Sequence, residues 1–103
     1  MKARVATICQ GGVFHNSVEG NRKHIMRLLD LALKHNPDIV CLPETFTMVS
    51  VAEELNSELA EKVPGPTTLA VAERAKKHEC YVVCPIRTSR NSRVWNSAVV
   101  IDR

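Results

Sequence analysis

The chain has 103 residues, of which 45% are hydrophobic and 24% charged, with a formal net charge of +3. That is globular composition, which excludes a disordered chain, and the length suits one small domain or a piece of a larger one. Aromatic residues are only 4% and the basicity is mild, so neither a base-stacking surface nor a dense basic stripe is present and no nucleic-acid partner is expected.

Ala3 to Cys9 is a short, β-branched, mostly apolar run and reads as a first strand, broken by Gln10-Gly11-Gly12. Asn16 with Glu19 three residues on resembles a capping box. Ile25, Leu28, Leu29, Ala32 and Leu33 then form one helical stripe, and Asn36-Pro37 stops the helix. Asp38 to Leu42 is a second strand. Its continuous apolar run, Ile39-Val40-Cys41-Leu42, fits a strand covered on both faces, so strand, helix and strand make a βαβ unit. Ser50-Val51-Ala52-Glu53 resembles a second capping box, ahead of a short helix with Val51, Leu55 and Leu59 at four-residue spacing. Val63-Pro64-Gly65-Pro66 is a rigid turn. Thr67 or Thr68 is expected to cap a third helix to about His78, with Leu69, Ala72 and Ala75 on its apolar face. Cys80 to Ile86 and Trp95 to Ile101 are the last strands, paired as a hairpin across a polar turn at Thr88 to Arg93. Arg87, Arg90 and Arg93 belong to that turn in this reading. The pattern is α/β, with about four strands and helices on one face. It leaves the other face and an edge bare, so the chain is expected either to oligomerise through an exposed sheet or helix face or to be part of something longer.

The apolar stretch after Lys2 and Arg4 is too short for a signal-peptide core, and no run approaches the ~20 apolar residues that span a bilayer. No membrane partner is expected, and cytoplasm is the expected location. Cys9, Cys41, Cys80 and Cys84 form no CxxC pair and lie in apolar runs, as small core hydrophobes do. Cys80 and Cys84 are about 13 Å apart along one strand, too far for a disulfide or a shared metal. No metal site and no cofactor is expected, and free thiols fit a reducing compartment. His15, His24, His35 and His78 do not group. Gly11-Gly12 suits a turn with positive φ better than a phosphate cradle, because no GxGxxG or P-loop accompanies it.

Glu44 is the one residue that position singles out. It lies just past the carboxyl end of the second strand, where open parallel sheets collect their ligands. Pro43 holds Leu42 extended before it. A carboxylate there can act as a general base.

Several segments together resemble the nitrilase, or carbon–nitrogen hydrolase, superfamily. They are Val5-Ala6-Thr7-Ile8-Cys9-Gln10, the helix containing Asn21, Pro37 through Glu44, Val63-Pro64-Gly65-Pro66-Thr67-Thr68, Tyr81-Val82-Val83, and Trp95 through Asp102. Their order and spacing match the family's opening third or more, so residues 1–103 are expected to be the N-terminal, incomplete part of such a domain. The resemblance implies a partial αββα sandwich and a Glu, Lys, Cys triad in which Cys is the nucleophile, Glu the general base and Lys the stabiliser of developing charge. Glu44 matches the family's glutamate by its Leu-Pro-Glu context, and Phe46 falls where the family often has a pocket-lining, substrate-binding residue. The family's lysine and cysteine lie downstream of the Asn-Ser-Ala-Val-Val-Ile-Asp strand, and none of the four cysteines matches the nucleophile. Val83-Cys84-Pro85-Ile86 also departs from the small residue and glycine common in relatives.

The implied activity is hydrolysis of a small-molecule amide, nitrile or carbamoyl carbon–nitrogen bond, with Glu44 the one triad member present and the 103 residues alone inactive. The rival expectation is a non-catalytic truncated form acting as an interaction or dimerisation module. A small nucleotide-binding α/β domain is a third, resting on Gly11-Gly12 alone.

Overall fold

The computed structural model describes residues 1–11 and 15–103, so Gly12 lies outside the described residues. In chain order the elements are β1 (Val5–Thr7), α1 (Val18–Leu33), β2 (Ile39–Cys41), 3₁₀ turns at Phe46–Met48 and Glu53–Leu55, the single-turn helix α2 (Asn56–Leu59), α3 (Pro66–His78), β3 (Tyr81–Arg90) and β4 (Arg93–Ile101). The strands form one sheet in the order β1-β2-β3-β4. The first three are parallel and β4 is antiparallel to β3. This is the expected α/β arrangement, with βαβ crossovers followed by a hairpin.

Local chemistry moves several boundaries. Ser17, not Asn16, is the N-cap of α1: its hydroxyl accepts the Gly20 N–H at 3.0 Å. The helix ends before Asn36, which takes a left-handed φ of 51°, and Pro37. Ser50 caps nothing, because it is itself left-handed at φ 58° and the chain beyond it forms only 3₁₀ and single-turn pieces. At α3 the N-cap is Gly65, with Pro66 at the first helical position, where its missing N–H costs nothing. Gly65 is required there: a Cβ would lie 2.3 Å from the Lys62 carbonyl oxygen. Thr68 closes the box by accepting the Gly65 N–H at 2.8 Å. The buried stripe of α3 is Val71 and Ala75, while Leu69 faces solvent. The hairpin turn is tighter than the polar stretch suggests. Asn91 and Ser92, with φ of 51° and 59°, form the whole connection, and the ladder runs out to Arg90 and Arg93. Two successive residues with positive φ match the strand twist. Arg87 is therefore a strand residue.

One core holds the fold together. Ile25, Leu29 and Leu33 from α1, Val71 and Ala75 from α3, and Val40, Val82, Cys84 and Ile86 from the sheet all have no exposed surface. The strand residues share one face because side chains alternate along a strand. Ile39, Cys41, Val83 and Pro85 point the other way and are only half-buried, and Val5 and Val100 are exposed. The helices thus cover one face of the sheet. The continuous apolar run of β2 reflects two faces built for burial, one of them uncovered by the described residues.

Candidate active site

β2 is much shorter than β3, and the site lies where it stops. Leu42 N–H still donates to the Val83 carbonyl at 3.0 Å, but the chain then leaves the sheet at Pro43-Glu44. Further along the same edge of β3, Glu61 takes the vacated place: its N–H donates to Arg87 O at 3.0 Å and its carbonyl accepts from Ser89 N–H at 2.9 Å. The gap between them is a notch at the carboxyl end of a parallel strand, with Glu44 on its rim.

The backbone after Glu44 is strained and held. Thr45 has φ 46°, a left-handed conformation that a β-branched residue adopts only when its surroundings impose it. The hold comes from α1. Asn21 is 1% exposed, and its side-chain amide donates to Thr47 O at 3.0 Å and to Val49 O at 2.8 Å. Its Oδ1 accepts the His15 N–H at 3.0 Å. One buried side chain therefore ties the turn after β2 to α1 and to the segment leading into it. Phe46 anchors the same turn from below, fully buried in the core with no surface open to a substrate.

Glu44 itself is exposed, and its Oε1 accepts a hydrogen bond of 3.1 Å from Asn96 Nδ2 on β4. Asn96 is opposite Arg87 in the β3–β4 ladder, on the open face of the sheet. A second carboxylate, Glu61, is buried on the helix side. It accepts from Thr67 N–H at 2.8 Å and from the Thr67 hydroxyl at 2.5 Å, with Arg22 3.9 Å away. Arg22 Nε also donates to that hydroxyl at 2.9 Å. Each oxygen of Glu61 is engaged at the start of α3, where the helix dipole favours negative charge, so its role there is structural.

The cysteines divide. Cys80 and Cys84 are buried, as expected, but Cys9 is exposed and Cys41 half-buried, because they lie outside the covered face. Burial, reinforced by the Glu61 charge, pushes the Cys84 thiol up to about 12. Burial, then the Asp38 charge, raises Cys80 as well. Neither supplies a thiolate near neutral pH, and the thiolate is the nucleophile. Among the described residues no group of three or more His, Cys, Asp or Glu side chains could hold a metal ion, and no helix is long and apolar enough to cross a membrane. A surface hollow of about 850 Å³ along the hairpin is lined by Val63, Arg90, Trp95 and Asn96 but not by Glu44 itself. The chemistry favours the notch, because the hollow has no carboxylate in its lining.

Residues 4–103 match the family model for carbon-nitrogen hydrolase. The chain belongs to the carbon–nitrogen hydrolase family. It is 28% identical over 96 residues to a nitrilase of Paraburkholderia phymatum, covering 81% of this chain and 28% of that protein. It is 31% identical over 94 residues to the beta-ureidopropionase of Arabidopsis thaliana, covering 85% of this chain and 23% of that protein. Its fold superposes, with a TM-score of 0.72 and 23% identity, on a CN-hydrolase superfamily protein of Xanthomonas campestris solved with an arsenic adduct in its active site. That match covers 97% of this chain and 36% of the other. The sheet and its one-sided helices are thus a partial αββα sandwich, and the chain spans 23% to 36% of the length of these relatives. Sequence reasoning reached Glu44 from its position after the strand. It gave no site role to Asn96, Asn21 or Glu61, although Asn21 and Asn96 lie in segments that carry the resemblance, because their contacts join residues far apart in the sequence or, for Glu61, depend on where α3 starts.

Proposed function

We propose that this chain is the N-terminal part of an enzyme that hydrolyses a non-peptide carbon–nitrogen bond in a small amide, nitrile or carbamoyl compound, with Glu44 as general base. The observation that carries the reading is a single carboxylate on the rim of the notch after β2, tethered to Asn96, in a chain that matches the family over residues 4–103. By the resemblance, the lysine and the nucleophilic cysteine belong to sequence downstream of β4. For an amide, Glu44 takes the proton from the cysteine S–H as sulfur bonds to the carbonyl carbon. It returns that proton to the nitrogen as the C–N bond breaks. Water then loses a proton to Glu44 as its oxygen bonds to the thioester carbon, and Glu44 passes that proton to sulfur as the C–S bond breaks, which releases the acid and restores the thiol and the carboxylate. The lysine ammonium stabilises the oxyanion in both steps. Phe46, beneath the turn, would shape the pocket through Glu44's backbone.

The test uses the longer protein that carries this segment, assayed on amides, nitriles and carbamoyl compounds. Glu44→Gln is expected to lower turnover by roughly 10²–10⁴-fold, the usual contribution of a general base. Retained turnover in that variant, or absence of a downstream lysine and cysteine, counts against the reading. The 103 residues alone are expected to be inactive, because removing members of a nucleophilic unit costs orders of magnitude.

The open sheet face favours a second reading, a non-catalytic module that pairs with another subunit. Val5 and Val100 are 59% and 66% exposed there. Sedimentation of the isolated chain separates the two readings: a homo-oligomer supports pairing, and a well-behaved monomer at high concentration removes it. Four free cysteines support a reducing, cytoplasmic location under either reading.

A further inference from the structure

We infer that Asn96 is a positioning residue for Glu44: its amide fixes one carboxylate oxygen, Oε1, and leaves Oε2 as the oxygen that exchanges protons. The inference rests on the general-base reading of Glu44. Its physical content, a hydrogen bond across the sheet that responds to the charge of Glu44, is separate from that reading.

The geometry makes the contact informative. Glu44 follows β2 and Asn96 belongs to β4, with β3 between them. Strands lie about 4.8 Å apart, so β2 and β4 are roughly 10 Å apart. The carboxylate reaches Asn96 only because the chain leaves the sheet after Leu42 and carries Glu44 over the open face. Two further observations show that this departure is imposed. Thr45 is left-handed at φ 46°, and the buried Asn21 amide clamps the carbonyls of Thr47 and Val49 just beyond. The turn is thus fixed from α1, and the side chain it presents is fixed from β4.

The residue type suits the task. An ionised carboxylate only accepts hydrogen bonds, so the amide must turn its Nδ2 toward Oε1. Asparagine is neutral. It orients the carboxylate without the strong bias toward the ionised form that a lysine or arginine in contact would impose. A base that must gain and lose a proton in each half of the cycle needs that neutrality. With Oε1 occupied, the proton-accepting lone pairs are those of Oε2, which has no partner among the described residues. Arg87, a charged side chain, shares this face with Asn96, opposite it on β3. It is unchanged in every variant below, so its field cancels in the comparison.

Two measurements test the inference. In the 103-residue chain, the Asn96 side-chain amide signals are followed by NMR as pH falls through the carboxylate range. They are expected to move with a single titration and to lose that movement in Glu44→Gln. Signals that ignore pH in the unsubstituted chain would overturn the contact, and no variant has to fold for that result. In the longer enzyme, Asn96→Ala is expected to lower kcat by roughly 10- to 100-fold, the factor that corresponds to one hydrogen bond to a charged group. KM should stay within about twofold if the bond acts on the base rather than on substrate. Asn96→Asp keeps the shape but opposes one carboxylate with another. It is expected to lower kcat further, again with KM nearly unchanged, whereas a merely structural role would tolerate it best. If Asn96→Ala and Asn96→Asp both match the unsubstituted enzyme in kcat, the positioning role is overturned. If Glu44→Gln leaves turnover intact while the amide signals still titrate, it is the general-base reading that fails.

Discussion

The two faces of the sheet are made by the same strands and have opposite characters. On the helix side, Val40, Val82, Cys84 and Ile86 have no exposed surface. On the other side, one residue away along the same strands, Ile39, Cys41, Val83 and Pro85 are half-buried, and Val100 is 66% exposed. Everything that fixes the fold is on the first side: the α1 and α3 stripes, the Glu61–Thr67–Arg22 network and the Phe46 anchor. The Glu44 carboxylate and the Asn96 amide meet on the second. The two sides meet at the turn after β2, because Glu44 and Phe46 are two residues apart and serve different faces. The separation puts the buried anchor of the turn and its exposed carboxylate on different faces.

Opposite effects of substitutions at those two neighbours would break or sharpen the comparison most directly. Glu44→Gln should cost roughly 10²–10⁴-fold in turnover, yet shift unfolding free energy by less than about 0.5 kcal/mol, as an exposed polar change does. Phe46→Ala should do the reverse to the fold. Deleting a fully buried aromatic ring typically costs about 3–5 kcal/mol, read from the denaturation midpoint in urea. If Glu44→Gln destabilised the chain as much as Phe46→Ala, the two faces would not be separable and the division of labour would collapse.

A smaller effect concerns the covered side alone. Cys84 is buried and its thiol is raised from 9.0 to about 12, by burial first and the Glu61 charge second. The sign follows directly. Below pH 9 the thiol is protonated in both folded and unfolded chains and costs nothing. Between pH 9 and 12 the unfolded chain releases the proton while the folded chain keeps it, so stability falls as pH rises. Cys80 is raised in the same direction and adds to the slope. Cys84→Ala should therefore be less stable at pH 8, where it leaves a cavity, but lose stability less steeply from pH 9 to 11. Urea melts across that range measure both. An equal slope in the variant would mean that Cys84 opens to water as the half-buried, outward-facing Cys41 does.

How much of this was legible in the sequence follows the same division. The covered side was readable, because burial writes periodicity into α1 and apolar runs into β2 and β3. The βαβ unit, the hairpin and the exposed second face all followed from that. Caps were read less well. Ser17 beats Asn16, and Thr68 acts from inside the helix rather than as its cap, since several neighbouring residues can serve and only backbone geometry chooses among them. Leu69 faces solvent because the buried stripe of α3 runs through Thr68, Val71 and Ala75, so that two threonines and not the leucine open the covered face of the helix. At the site, Glu44 was visible from its position after a strand. Its partner Asn96 was not, because a contact between residues 52 apart in sequence depends on strand order and on the turn at Thr45, which no local pattern encodes.

The smallest expected effect tests the open face as such. Val100→Thr replaces a methyl by a hydroxyl on a residue that is 66% exposed, so in a monomeric 103-residue chain it should change stability by less than about 0.5 kcal/mol. The same substitution gains meaning when it is made where something covers that face. A valine that becomes buried contributes about 1.5 kcal/mol or more through its apolar surface, and a buried hydroxyl without a partner adds a further cost. The difference between the two measurements therefore reports cover directly. A small effect in the isolated chain and a large one in the longer protein would show that the second face is completed by sequence outside these 103 residues. A large effect in the isolated chain that weakens on dilution would instead assign the cover to a second copy of the chain, since stability drawn from association depends on protomer concentration.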